Sequence, residues 1–111
     1  MLSSANRLRR RTEFSDVVRR GRRSSRPLLT VHLLAGGTGA PPRAGLVVSK
    51  AVGGSAVRTR VARRLRHQLR PLVAALPAGT CLVVRASPAA AAADSAALGR
   101  DLTGALERLT R

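Results

Sequence analysis

The chain has 111 residues, a length that suits one domain around one core. Twenty-one basic side chains against five acidic ones give a formal net charge of +16, which points to nucleic acid, an anionic membrane or an acidic protein as partner. The lone cysteine, Cys81, excludes an intramolecular disulfide, and no apolar run approaches the length of a membrane span. The N-terminus lacks the apolar stretch of a secretory signal, so a cytoplasmic protein is expected.

Residues 1–11 are basic and unpatterned and are expected to form a flexible arm of a single domain spanning residues 1–111. Thr12 is placed to cap a helix over residues 13–20, with Glu13 and Asp16 suiting its positive end and Gly21 placed to stop it. Phe14, Val17 and Val18 share one stripe of that helix. Residues 28–34 read as a strand with Leu29, Val31 and Leu33 on one face and His32 on the other. A loop rich in Gly and Pro at 36–42 precedes a second strand at 44–49, whose near-continuous apolar run predicts a central position.

Gly53-Gly54-Ser55 turns the chain and is placed to cap a basic helix, which Pro71 is expected to end or kink near Arg70. Pro77-Ala78-Gly79 reads as a turn and residues 80–85 as a strand in which Cys81 is a small buried side chain. The alanine run 89–93 is helix-tolerant or slack. From Ser95 onward, Leu98, Leu102, Ala105, Leu106 and Leu109 keep helical spacing despite Gly99 and Gly104. The succession helix, strands, helix, strand, helix predicts an α+β sandwich with helices over one sheet. The expected fold is a two-layer sandwich with a mixed sheet of about four strands and three helices in the order α-β-β-β-α-β-α, one strand more than the three located above.

The stretch from Ala56 to Arg70 carries six of the basic side chains. At 100° per residue, Val57, Val61, Ala62, Leu65 and Leu69 fall on one side of it, and Arg60, Arg63, Arg64, Arg66, His67 and Arg70 fall on the other. Glutamates that would turn this face into a salt-bridged surface are missing, so the array calls for an external polyanion. Arg58 falls near the apolar arc and is suited to brace the glycine turn. No catalytic constellation accompanies the charge: His32 and His67 lack partners at metal-ligand or triad spacing, and Gly53-Gly54 lacks the rest of a phosphate loop.

The run from Val48 through Ser49-Lys50, the glycine turn and Arg58-Thr59-Arg60-Val61-Ala62-Arg63-Arg64-Leu65-Arg66 resembles the signature of the bacterial ribonuclease P protein subunit. Arg7-Leu8-Arg9, followed by Phe14, Val17, Val18 and Gly21, resembles that family's opening helix, and the Val83-Val84-Arg85 strand and Leu-spaced last helix fall in order. The resemblance implies an endoribonuclease ribonucleoprotein that removes the 5′ leader of precursor tRNA. In it a large RNA performs Mg²⁺-dependent hydrolysis, and the protein binds that RNA and holds the leader in a cleft. The metal is implied to be bound by the catalytic RNA and substrate, with none held by this chain alone. The resemblance further implies a left-handed βαβ crossover, and the chain is expected to be a monomer without RNA.

On this footing Arg58, Arg60, Arg63, Arg64, Arg66, Lys50, Arg9 and Arg10 are the expected RNA contacts, with no catalytic and no metal-ligating residue in the chain. Phe14, Val18, His32 and Ser49 are the expected lining of the leader cleft. Val18 stands where the family often has a second aromatic and His32 where it often has Tyr. Thr59 and Ala62 replace the usual Asn and Lys, and Arg64 is placed to compensate for Ala62. A small ribosomal protein is the alternative that shares charge, size and fold class. A membrane-surface protein fits less well, because the basic helix lacks bulky aromatic anchors.

Overall fold

The computed structural model describes residues 4–36 and 39–110. Helix α1 (Arg11–Arg20) leads into β1 (Arg22–Ser25), β2 (Leu29–Leu34) and β3 (Arg43–Val47). Helix α2 (Ser55–Ala74) then crosses to β4 (Cys81–Ala86), and a 3-10 segment, Pro88–Ala92, leads into α3 (Ser95–Leu109). The α-β-β-β-α-β-α order is the expected one. The strands form one mixed sheet in the order β1-β2-β4-β3. β1–β2 and β2–β4 are antiparallel, and β3–β4 is a parallel pair joined by α2.

Alternation along the strands sorts the side chains into two faces. Leu29, Val31, Leu82, Val84 and Ala44 turn toward α2 and α3, meeting Val61, Leu65, Leu69, Val73, Leu98, Leu102 and Ala105 in the main core. The other face carries a smaller cluster in which Leu8 and Val17 pack on Val83, bordered by Phe14, Leu34, Val47 and Cys81. Sheet plus α2 and α3 make the expected two layers, and α1 adds a partial third layer on the opposite face.

Several boundaries depart from the sequence-based expectations. β1 had no strand signal of its own, since Arg22-Arg23-Ser24-Ser25 contains no β-branched or aromatic residue. Its strand form comes from pairing with β2, register Arg22 to Leu33 through Ser25 to Thr30. β3 is an edge strand rather than a central one. It reads as apolar because both its faces are covered, and its outer edge is partly closed by Arg7, which bridges to Ala44, and by Leu8, whose N–H donates to the Ala44 carbonyl at 2.9 Å.

That same contact corrects the flexible arm. From Ser4 on the segment is laid beside β3, with Leu8 buried and the Asn6 amide donating to the Pro42 carbonyl at 2.7 Å. Residues 1–3 lie outside the described chain. α1 starts at Arg11, so Thr12 is inside the helix. The end is closed instead by Glu13, whose carboxylate accepts from the Arg10 N–H at 3.1 Å. Ser55 does not cap α2 either: the N-cap is Gly54 and no side chain bonds there.

α2 runs through Pro71 to Ala74. The ring removes only the N–H that would have reached the His67 carbonyl, on a side where both residues are exposed and water can serve. The continuing apolar stripe, ending in fully buried Val73, holds the last turn in place. Cys81 is half-buried on the α1 face, its Sγ 3.8 Å from Nη2 of Arg43.

Candidate nucleic-acid interface

The face of the sheet under α1 is ordered in lateral rows fixed by the strand register. Gly45, Val83, His32 and Arg23 make one row, and Val47, Arg85, Thr30 and Ser25 the next. The ring of Phe14 lies against Gly45, where a Cβ would collide with it, so this position needs the smallest residue for α1 to seat its aromatic on the sheet. Beyond the ring the second row is open. Phe14, Ser15, Val18 and Arg19 from α1, with Val47 and Arg85 from the sheet, line a groove of about 370 Å³. A neighbouring groove of about 230 Å³ joins Phe14 to Arg7, Leu8, Ala44, Leu46 and Arg66. Phe14 therefore stands between guanidinium groups on both sides, Arg85 and Arg19 in one groove and Arg7 and Arg66 in the other.

Val18 is a large hydrophobic left exposed at this site, at 39 %. An exposed apolar side chain, an aromatic ring edge and flanking guanidiniums make a surface on which bases can stack while phosphates are paired. Glu13 anchors α1 over it through an ion pair with Arg43 at 2.5 Å. Backbone N–H donation from Arg10, ahead of the Arg43 pairing, holds the Glu13 carboxyl below its ordinary range.

The expected cleft residues do not all meet here. Phe14 and Val18 do. His32 lies on the same sheet face but is only 5 % exposed, and its Nδ1 is buried without a hydrogen-bond partner. Burial first, then the charges of Arg85 and Arg23, push its pKa below the ordinary 6.5, so it sits neutral under the site rather than lining the groove. Ser49 is exposed in the turn after β3, next to exposed Lys50.

Among the expected RNA contacts, Arg63 is exposed on α2, Arg66 lines the second groove, and Arg9 and Arg10 are exposed just before α1. Arg58 is half-buried with its Nε enclosed and unpartnered, as its place near the apolar arc implied. Arg60 and Arg64 bend aside to donate to the carbonyls of Ala91 and Ala93, at 3.2 and 2.7 Å.

Arg85, Val47 and Arg7 line the grooves but are not among the expected RNA or leader contacts. Arg85 left a signal, as the only charged residue in the apolar run of β4. Arg7 reads only as part of the basic N-terminal run and the opening-helix resemblance, and Val47 left no signal, because its role depends on the α1–β3 approach. The polar residues lining the two grooves are arginines and Ser15, with no Asp or Glu, and such side chains do not supply the anionic oxygens Mg²⁺ selects. Among the described residues no group of three or more His, Cys, Asp or Glu could hold a metal ion. Among them, too, no helix is long and apolar enough to cross a membrane.

A family profile described as ribonuclease P matches residues 2–110 of the chain. The chain belongs to the ribonuclease P protein family. Relatives called ribonuclease P protein component include one from Streptomyces griseus, 58 % identical over 98 % of this chain and 95 % of its own length. Another, from Thermobifida fusca, is 50 % identical over 100 % of this chain and 80 % of its own length. The fold is shared with the RNase P protein of Staphylococcus aureus, at TM-score 0.81 and 19 % identity over 94 % of each chain. It is shared too with that of Thermotoga maritima, at TM-score 0.75 and 22 % identity over 89 % of this chain and 93 % of the other. Membership makes this chain a component of an endoribonuclease ribonucleoprotein, with the ribonuclease P RNA as its partner.

Proposed function

We propose that this chain serves as the protein cofactor of ribonuclease P by gripping two RNAs at once: the catalytic RNA through the outward arginines of α2, and the 5′ leader of precursor tRNA through the Phe14 grooves, with Arg66 of α2 at the border of the two surfaces. The observation that carries this is the sharing of one aromatic by two grooves, each with its own guanidiniums. A single strand needs a stacking surface and phosphate partners at short intervals, and this arrangement offers both without a base-specific pocket. Leaders of differing sequence can therefore use it.

On this reading bond cleavage falls to the RNA subunit, and the arginine-lined grooves serve binding. Mg²⁺, held by the RNA and substrate, supplies the hydrolytic chemistry when bound. The chain's own work is to bind the leader, orient it and lower the repulsion between two polyanions. That last effect follows from its net charge of +16. The protein works in the cytoplasm and is a monomer until it meets RNA, because like charge on its surface opposes self-association.

Titrating the chain into its cognate catalytic RNA with a leader-bearing precursor tests this. The Mg²⁺ concentration needed for half-maximal cleavage should fall as the protein is added. A cleavage rate and metal requirement unchanged across the titration would contradict the cofactor role.

A further inference from the structure

The six arginines of α2 do not form one array. Arg60, Arg64 and Gln68 recur every four residues, and each donates to a point on the segment that follows β4. Arg60 reaches the Ala91 carbonyl at 3.2 Å, Arg64 the Ala93 carbonyl at 2.7 Å and Gln68 the Ser95 hydroxyl at 3.0 Å. Donors spaced by four meet acceptors spaced by two, so one flank of the helix is fastened along residues 91–95 in a three-rung ladder. Gln68 is seated closely enough that a Cβ at Gly99 would strike its amide. The Nε of Arg60 is buried against the protein without a partner of its own. At 100° per residue these three side chains span roughly 80°, whereas Arg63, Arg66 and Arg70 span a neighbouring arc of roughly 60°.

We propose that Arg60, Arg64 and Gln68 are positioning residues that fix the rotation of α2, and that Arg63, Arg66 and Arg70 are the row that meets RNA phosphates. The division departs from the expectation that Arg60 and Arg64 are RNA contacts. It also explains the placing of the alanine-rich 3-10 segment, whose carbonyls hold the helix at the angle where one arginine row faces outward. A helix without these rungs remains docked by its apolar stripe, yet is free to roll by a fraction of a turn. RNA binding then has to select the one rotation in which all three guanidinium groups meet their phosphates. That selection lowers affinity while leaving the contacts in the complex, and so the salt slope, unchanged.

The inference rests on α2 gripping the catalytic RNA, and salt dependence separates the two claims. Each phosphate contact adds about 0.7–0.9 to the slope of log affinity against log salt, and a residue that only orients the helix adds far less. Affinity for the cognate catalytic RNA is measured over a range of KCl, well below each variant's melting temperature, with circular dichroism confirming a full fold.

Arg63→Gln and Arg66→Gln should each lower the slope by about 0.7–0.9. Arg64→Gln should weaken binding with less than about half that change in slope. Gln68→Ala, which removes no charge, should weaken binding about threefold with the slope unchanged. A bond that merely stabilised the fold would leave affinity untouched at such temperatures. The ladder is overturned if Gln68→Ala binds like wild type, or if Arg64→Gln lowers the slope as much as Arg63→Gln. Should Arg64→Gln fail to fold, Gln68→Ala decides alone. If neither Arg63→Gln nor Arg66→Gln alters the slope, it is the RNA-gripping role of α2 that fails.

Discussion

Phe14 carries more of the site than any other single side chain, and its position depends on a residue with no side chain. The ring rests on Gly45 and faces both grooves. Phe14→Ala should therefore weaken binding of leader-bearing precursor by about 1–3 kcal/mol, the value of one stacked base, and leave leaderless tRNA binding unchanged. Parallel titrations of the two RNAs against the assembled ribonucleoprotein check this.

His32 bears on stability instead. Its depressed pKa means that the unfolded chain takes up a proton below pH 6.5 more readily than the folded one. Stability is thus complete above about that pH and declines as pH falls beneath it. Thermal melts between pH 8 and pH 5 should show this decline, and His32→Phe should remove its histidine component. The sequence placed His32 on the correct face of β2 but could not tell a lined cleft from a buried floor. That difference depends on how closely β1 and α1 cover it.

At the level of elements, the apolar spacing of α2 and α3 was fully legible, because a stripe at helical period has no other use in a chain this short. Val61, Leu65 and Leu69 are all fully buried, and Leu69→Ala should cost about 2–5 kcal/mol of unfolding free energy by urea titration. The reach of α2 past Pro71 was not legible, since local chemistry favours a stop there and only packing of Val73 overrides it. Replacing that proline with Ala restores one backbone N–H. Pro71→Ala should raise stability by about 1–3 kcal/mol in the same titration. β1 was invisible for the converse reason, its strand form being imposed by a neighbour. The split of the α2 arginines was hidden as well: a helical wheel shows which way residues point, not what lies within their reach.

Across the whole molecule, charge and shape act together. A net +16 on a body with extents of 37 × 27 × 24 Å makes any long polyanion attractive. On the function proposed above, the fold directs that general attraction to two surfaces, one on α2 and one between α1 and the β3 edge. Composition disclosed the attraction and the resemblance to a known family disclosed its object. The grooves became visible only with the tertiary approach of α1 to β3. The most direct measurement compares the affinity of the assembled ribonucleoprotein for precursor tRNA carrying a leader of several nucleotides with its affinity for the same tRNA without one. The leader-bearing form should bind more tightly in the presence of this chain and lose that advantage when the chain is omitted. Equal affinities with the protein present would contradict the account.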